Sequence, residues 1–138
     1  MKKVFLYSMH TPQTDFGQMD VLTGKKPEET TISVITNAAD VIPNSNQWIP
    51  DMVKIFEDIG YRIQTIDLNN FSNDSKKLSD IFSQSDVIWV CGGHTFYLRW
   101  ILKKSGADQS IITQVNNGKV FSGWSAGAII AGPTTKHF

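Results

Sequence analysis

The stretch Lys119-Val120-Phe121-Ser122-Gly123-Trp124-Ser125-Ala126-Gly127-Ala128-Ile129-Ile130-Ala131 changes character at its middle. Its first four residues read as a strand, and the run from Ala126 to Ala131 reads as the opening of a helix built from small residues. Between them lies Gly123-Trp124-Ser125-Ala126-Gly127, a G-x-S-x-G pattern. A serine held on a tight strand-to-helix turn projects its hydroxyl from the end of a sheet, and the strained backbone accepts only small neighbours. The next residue opens a helix, so its N–H can face a developing oxyanion. An ordinary serine-containing turn is the plainer alternative. The strand before and the small-residue helix after favour Ser125 as a nucleophile.

Working back along the chain, the same alternation recurs. Strands are expected over residues 4–7, 32–35, 61–66, 87–91 and 119–122. Helical spacing covers 46–59, 75–83 and 95–105, the last with Phe96, Tyr97, Trp100 and Ile101 inward. Asp108 reads as the cap of a further short helix ending at Asn116-Asn117-Gly118. The polar, Gly- and Pro-containing stretch 11–30 reads as a functional loop or a poorly ordered excursion. Strands separated by helices imply a parallel sheet covered on both faces, in one α/β domain over residues 1–138.

The apolar run Val87-Ile88-Trp89-Val90-Cys91 ends abruptly in Gly92-Gly93-His94. Ligands of open parallel sheets bind beyond the carboxyl ends of the strands. Paired glycines there let backbone N–H groups approach a substrate carbonyl, although a plain glycine turn would look the same. No G-x-G-x-x-G and no P-loop is present, so a nucleotide site has no support.

The 138 residues are 41% apolar and 19% charged, with 13 basic and 13 acidic side chains that cancel. No global field draws in nucleic acid or an anionic membrane. The apolar run after Met1-Lys2-Lys3 is too short for a signal sequence, and no apolar stretch approaches a membrane span. The lone cysteine, Cys91, fits a reducing compartment, so a cytoplasmic location is expected. Cys91 ends an apolar run and reads as a small buried residue rather than a reactive thiol. No pair of residues has metal-ligand spacing, and no metal or cofactor is expected.

Together, residues 87–98 and Gly123-Trp124-Ser125-Ala126-Gly127-Ala128 resemble the peptidase E family of S51 serine peptidases, which includes α-aspartyl dipeptidases and, more distantly, cyanophycinases. The resemblance implies a flavodoxin-like three-layer sandwich of the class I glutamine amidotransferase type, with serine in place of the elbow cysteine. It implies hydrolysis of a small peptide substrate, a dipeptide with N-terminal aspartate, through an acyl-enzyme on Ser125. Ala126 N–H and a glycine of the pair, Gly93 in particular, become the oxyanion hole. Gly92, His94 and Trp124 become substrate-binding positions, His94 standing where the family usually has asparagine. The triad histidine and acid are implied beyond Phe138, so the chain is expected to be the N-terminal part of such a domain.

Within the chain, His10, His94 and His137 are the histidines available as a base. Each reads first as a loop histidine. A domain lacking its last strands is expected to expose the 87–91 run and the elbow helix, and therefore to associate with itself or with a missing piece. A non-catalytic protein keeping the fold, and another α/β serine hydrolase such as an esterase, are the alternative functions.

Overall fold

The computed structural model describes residues 2–8 and 15–132. Five strands form one all-parallel sheet: β1 (Lys3–Tyr7), β2 (Thr31–Ile35), β3 (Arg62–Ile66), β4 (Val87–Val90) and β5 (Val120–Trp124), in the spatial order β1-β5-β4-β2-β3. Helices α1 (Gly17–Thr23) and α2 (Ser45–Ile59) cover one face. Helices α3 (Ser75–Phe82), α4 (Thr95–Ser105), α5 (Ala107–Asn116) and the short α6 (Ala126–Ile129) cover the other. The three-layer α/β architecture read from the sequence is the one observed.

Strand alternation divides the core. Val87, Trp89 and Cys91 turn toward Met19, Met52 and Phe56, whereas Ile88 and Val90 turn toward Leu78, Phe82, Leu98 and Ile101. A strand buried on both faces needs an unbroken apolar run, which is why 87–91 carries no polar residue. Trp89, the largest fully buried side chain, donates its Nε1–H to Tyr7 Oη at 2.7 Å and packs edge-on against Phe56. Burial pushes the Tyr7 phenol well above its ordinary range, so it stays a neutral hydroxyl.

Several sequence expectations are corrected here. The 87–91 run is fully buried in the middle of the sheet rather than exposed. Apolar surface is instead left open at sites that include Val4 and Leu6 of β1, beside a groove of about 350 Å³ lined by Ile111, Ile112, Val115, Phe121 and Ile130. Within the stretch read as a loop, 17–23 is helical, because Phe16 and Met19 are buried against the sheet. Its single amphipathic turn pair is too short for periodicity to reveal.

Helix α4 presents Leu98, Ile101, Leu102 and Ser105 inward, while Phe96 and Trp100 are about half exposed at 53% and 51%. The i, i+3, i+4 aliphatic stripe defines the buried face, and the aromatics sit beside it. Trp100 meets Tyr97 at a tilt, centroids 5.4 Å apart, and lies under Lys104 Nζ. Leu98→Ala is accordingly expected to cost about 2–5 kcal/mol. Trp100→Ala is expected to cost under about 1 kcal/mol, both measured by urea denaturation.

Two boundaries also differ. Gly106 (φ 87°), not Asp108, separates α4 from α5, and a Cβ there would lie 2.8 Å from Ser75 N. Strand β5 runs two residues past the expected end to Trp124, and α6 ends at Ile129.

Candidate active site

The carboxyl end of β5 delivers Ser125. Its N–H donates to Tyr7 O at 3.1 Å, continuing the ladder one step past the strand, and its own carbonyl accepts from Ala128 N and Ile129 N, both at 2.9 Å. Serving strand and helix at once forces the residue to φ 52°, ψ −112°, a combination that L side chains avoid. Such a conformation costs about 1–3 kcal/mol and persists only where the surroundings hold it. The two glycines of the motif supply that hold by close approach. A Cβ on Gly127 would lie 2.0 Å from Val90 O, and one on Gly123 would lie 2.5 Å from the Gly127 carbonyl.

The paired glycines meet this turn because β4 and β5 are neighbours, with Val90 opposite Gly123. A Cβ on Gly92 would lie 3.0 Å from both Ser125 Cβ and Trp124 Cε3. Gly93 has φ 151° and presses on the 3-10 turn Asn37–Ala39, where a Cβ would fall 2.2 Å from Ala38 O. Among the described residues, neither the Gly93 nor the Ala126 N–H takes a backbone hydrogen bond. These two backbone donors near Ser125 thus have no backbone partner among the described residues. Trp124 is half-buried and meets Trp48 of α2 edge to face, centroids 5.8 Å apart, giving the site an aromatic wall. Trp48 falls within the stretch 46–59 whose spacing is helical, but its pairing with Trp124 depends on how α2 packs and leaves no mark in the local pattern.

His94 is exposed and caps α4, its Nδ1 accepting from Tyr97 N at 3.1 Å. A ring nitrogen used as an acceptor in this way carries no proton, so the neutral imidazole holds its proton on Nε2. His94 Nδ1 is thereby engaged by its own helix. His10 and His137 lie outside the described residues. Asp67, at the end of β3, has its carboxyl held below the ordinary range by a hydrogen bond from Asn37 and others from Asn69. Among the described residues, no three His, Cys, Asp or Glu side chains gather as metal ligands. No helix among them is long and apolar enough to cross a membrane.

Cys91 sits one residue before the glycine pair and is fully buried. Burial, with the negative charge of Asp40, pushes its thiol up to about 12, so it stays protonated at neutral pH. Reaction with Ellman's reagent at pH 8 is expected to be negligible in the folded protein and stoichiometric in denaturant. Rapid native labelling would contradict this burial.

The family model of peptidase family S51 matches residues 17–137. The chain belongs to peptidase family S51. Among its relatives, the uncharacterized peptidase Lmo0363 of Listeria monocytogenes is 35% identical over 80 residues, covering 58% of this chain and 38% of that protein. Peptidase E of Haemophilus influenzae is 46% identical over 57 residues, covering 41% of this chain and 26% of its own. A Listeria monocytogenes EGD-e crystal structure, named as a candidate peptidase E, superimposes with a TM-score of 0.81 at 26% identity, covering 99% of this chain and 64% of that one. A peptidase from an acI-B1 actinobacterium, at 20% identity and a TM-score of 0.70, shares the fold. The chain thus spans less than half the length of these curated relatives.

Proposed function

We propose that this S51 domain is a serine hydrolase cleaving dipeptides with N-terminal aspartate. The observation that carries the proposal is the strained Ser125 backbone, fixed between glycines that have no room for a side chain. Strain of that kind gathers at reacting groups, because an unstrained turn would be the more stable one. Ser125 Oγ attacks the peptide carbonyl, and the N–H groups of Gly93 and Ala126 receive the charge that forms on its oxygen. Collapse of that intermediate expels the leaving amine and leaves an ester on Ser125, which water then hydrolyses.

The peptidase E names among the relatives support a peptide substrate. So does the His94 Nε2–H, a donor suited to a substrate carboxylate, with Gly92 and Trp124 completing the wall. Because His94 is committed as a cap, the base that takes the Ser125 Oγ proton and returns it to the leaving amine comes from outside the described residues.

The test is hydrolysis of Asp-Leu and an aspartyl anilide beside Ala-Leu and a simple acyl ester. Release from the aspartyl substrates alone is expected. Turnover of the ester alone would move the reading to an esterase. No turnover by a folded protein would move it to a non-catalytic binding role.

A further inference from the structure

Beneath the Gly92–Gly93 loop lies a closed ring of polar side chains that neither the nucleophile nor the aromatic wall uses. Asn37 Nδ2 donates to Asp40 Oδ2 at 2.9 Å and to Asp67 Oδ1 at 3.0 Å. Asn69 Nδ2 donates to the same two oxygens, at 3.0 Å each. Two amides therefore bridge two carboxylates, tying the turn after β2 to the turn after β3. Tyr97 of α4 adds a bond from its hydroxyl to Asp40 Oδ2 at 3.2 Å. Asn37 Oδ1 accepts from Leu68 N at 3.0 Å, so every polar atom of this side chain is engaged.

Asn37 is only 3% exposed, whereas Asp40, Asp67 and Asn69 are exposed. Exposed polar contacts contribute little to global stability. Their consequence is local. The ring fixes residues 37–40, and the carbonyl of Ala38 in that span is the group against which Gly93 rests. Ala38 O accepts from His94 N at 2.8 Å and lies where a Gly93 Cβ would be. Ala38 O thereby holds the Gly93–His94 peptide, and through the Gly93 Cα a shift of the 37–40 turn is passed to the adjoining peptide that carries the Gly93 N–H.

We propose that Asn37, Asp40, Asp67, Asn69 and Tyr97 are positioning residues that set the direction of the Gly93 N–H beside Ser125. The proposal rests on the hydrolase reading for its catalytic consequence and on geometry alone for its structural one. Oxyanion donors act only when held at the correct angle before the charge forms, so a loosened ring lowers kcat and leaves KM nearly unchanged.

The test compares Asp67→Ala, Asp67→Asn and the milder Tyr97→Phe with Leu78→Val, which thins the core away from the ring. Amide exchange of His94, whose N–H is bonded to Ala38, is the direct readout. In Asp67→Ala it is expected to accelerate about tenfold relative to the β4 amides. Asp67→Asn keeps an acceptor oxygen and restores most of the protection, and Tyr97→Phe gives a partial effect in the same direction. With aspartyl substrate, kcat is expected to fall about tenfold or more in Asp67→Ala while KM stays within about threefold. His94 exchange that is unchanged in Asp67→Ala, or that accelerates equally in Leu78→Val, overturns the proposal. Should Asp67→Ala fail to fold, unchanged His94 exchange in Tyr97→Phe does the same. Loss of protection in a protein without turnover would uphold the positioning and defeat the hydrolase reading.

Discussion

Ser125→Gly is expected to be inactive and, at the same time, more stable than the wild type. Removing the nucleophile of a serine hydrolase costs up to about a millionfold in kcat. The stability gain comes from the backbone. At φ 52° and ψ −112° the serine sits where its Cβ clashes with its own peptide neighbours, and glycine does not. Relief is worth about 1–3 kcal/mol, against which glycine's extra freedom in the unfolded chain subtracts about 0.5–1 kcal/mol. The net is a rise of roughly 0.5–2 kcal/mol, or several degrees in Tm for a domain of this size. Ser125→Ala separates the two effects, since it deletes the hydroxyl and keeps the Cβ. It is expected to be equally inactive with an unchanged Tm. Thermal melts of the three proteins side by side decide the matter. A Ser125→Gly protein no more stable than Ser125→Ala would remove the strain argument from the proposed function.

The legible and illegible parts of this molecule divide along one line. Features set by a residue's immediate neighbours in sequence were readable. The run 87–91 had to be a strand covered on both faces, and 123–127 had to be a sharp turn. Their meeting was readable too, because glycines at the ends of successive strands share the carboxyl edge of a parallel sheet. What could not be read depends on packing partners far along the chain. Phe96 and Trp100 look like core residues until Leu98, Ile101 and Leu102 are seen to fill that face. Helix α1 hides in a polar stretch because two buried side chains, Phe16 and Met19, anchor it. The ring around Asn37 joins two turns and a helix, and Asn37-Ala38-Ala39-Asp40 alone looks like any strand end. His94 shows the same limit at the level of one atom. Its place near the site follows from the sequence, whereas the cap that engages its Nδ1 does not.

Gly127→Ala is expected to destabilise the fold by about 3 kcal/mol or more, beyond the usual 1–3 kcal/mol of overpacking. In an exposed helix the same change would stabilise by about 1 kcal/mol, so the sign itself is diagnostic. The added Cβ would sit 2.0 Å from Val90 O and 2.7 Å from Val90 C. Neither atom can yield, because Val90 ends the fully buried central strand and pairs with both Ile35 and Gly123. The helix must move instead, taking Ala126 and the Ser125 carbonyl with it. Gly24→Ala is the comparator. Unlike Gly127, Gly24 has a left-handed φ, 67°, and nothing lies within 4 Å of its would-be Cβ. Its cost is therefore the dihedral penalty alone, about 1–2 kcal/mol. Urea denaturation of both variants should place Gly127→Ala clearly below Gly24→Ala. Turnover of Gly127→Ala, measured where it is still folded, should fall further than its stability explains. Equal losses in the two variants would mean that α6 can retreat from β4 freely, and that the close approach of turn and strand is not what holds Ser125 in its strained conformation.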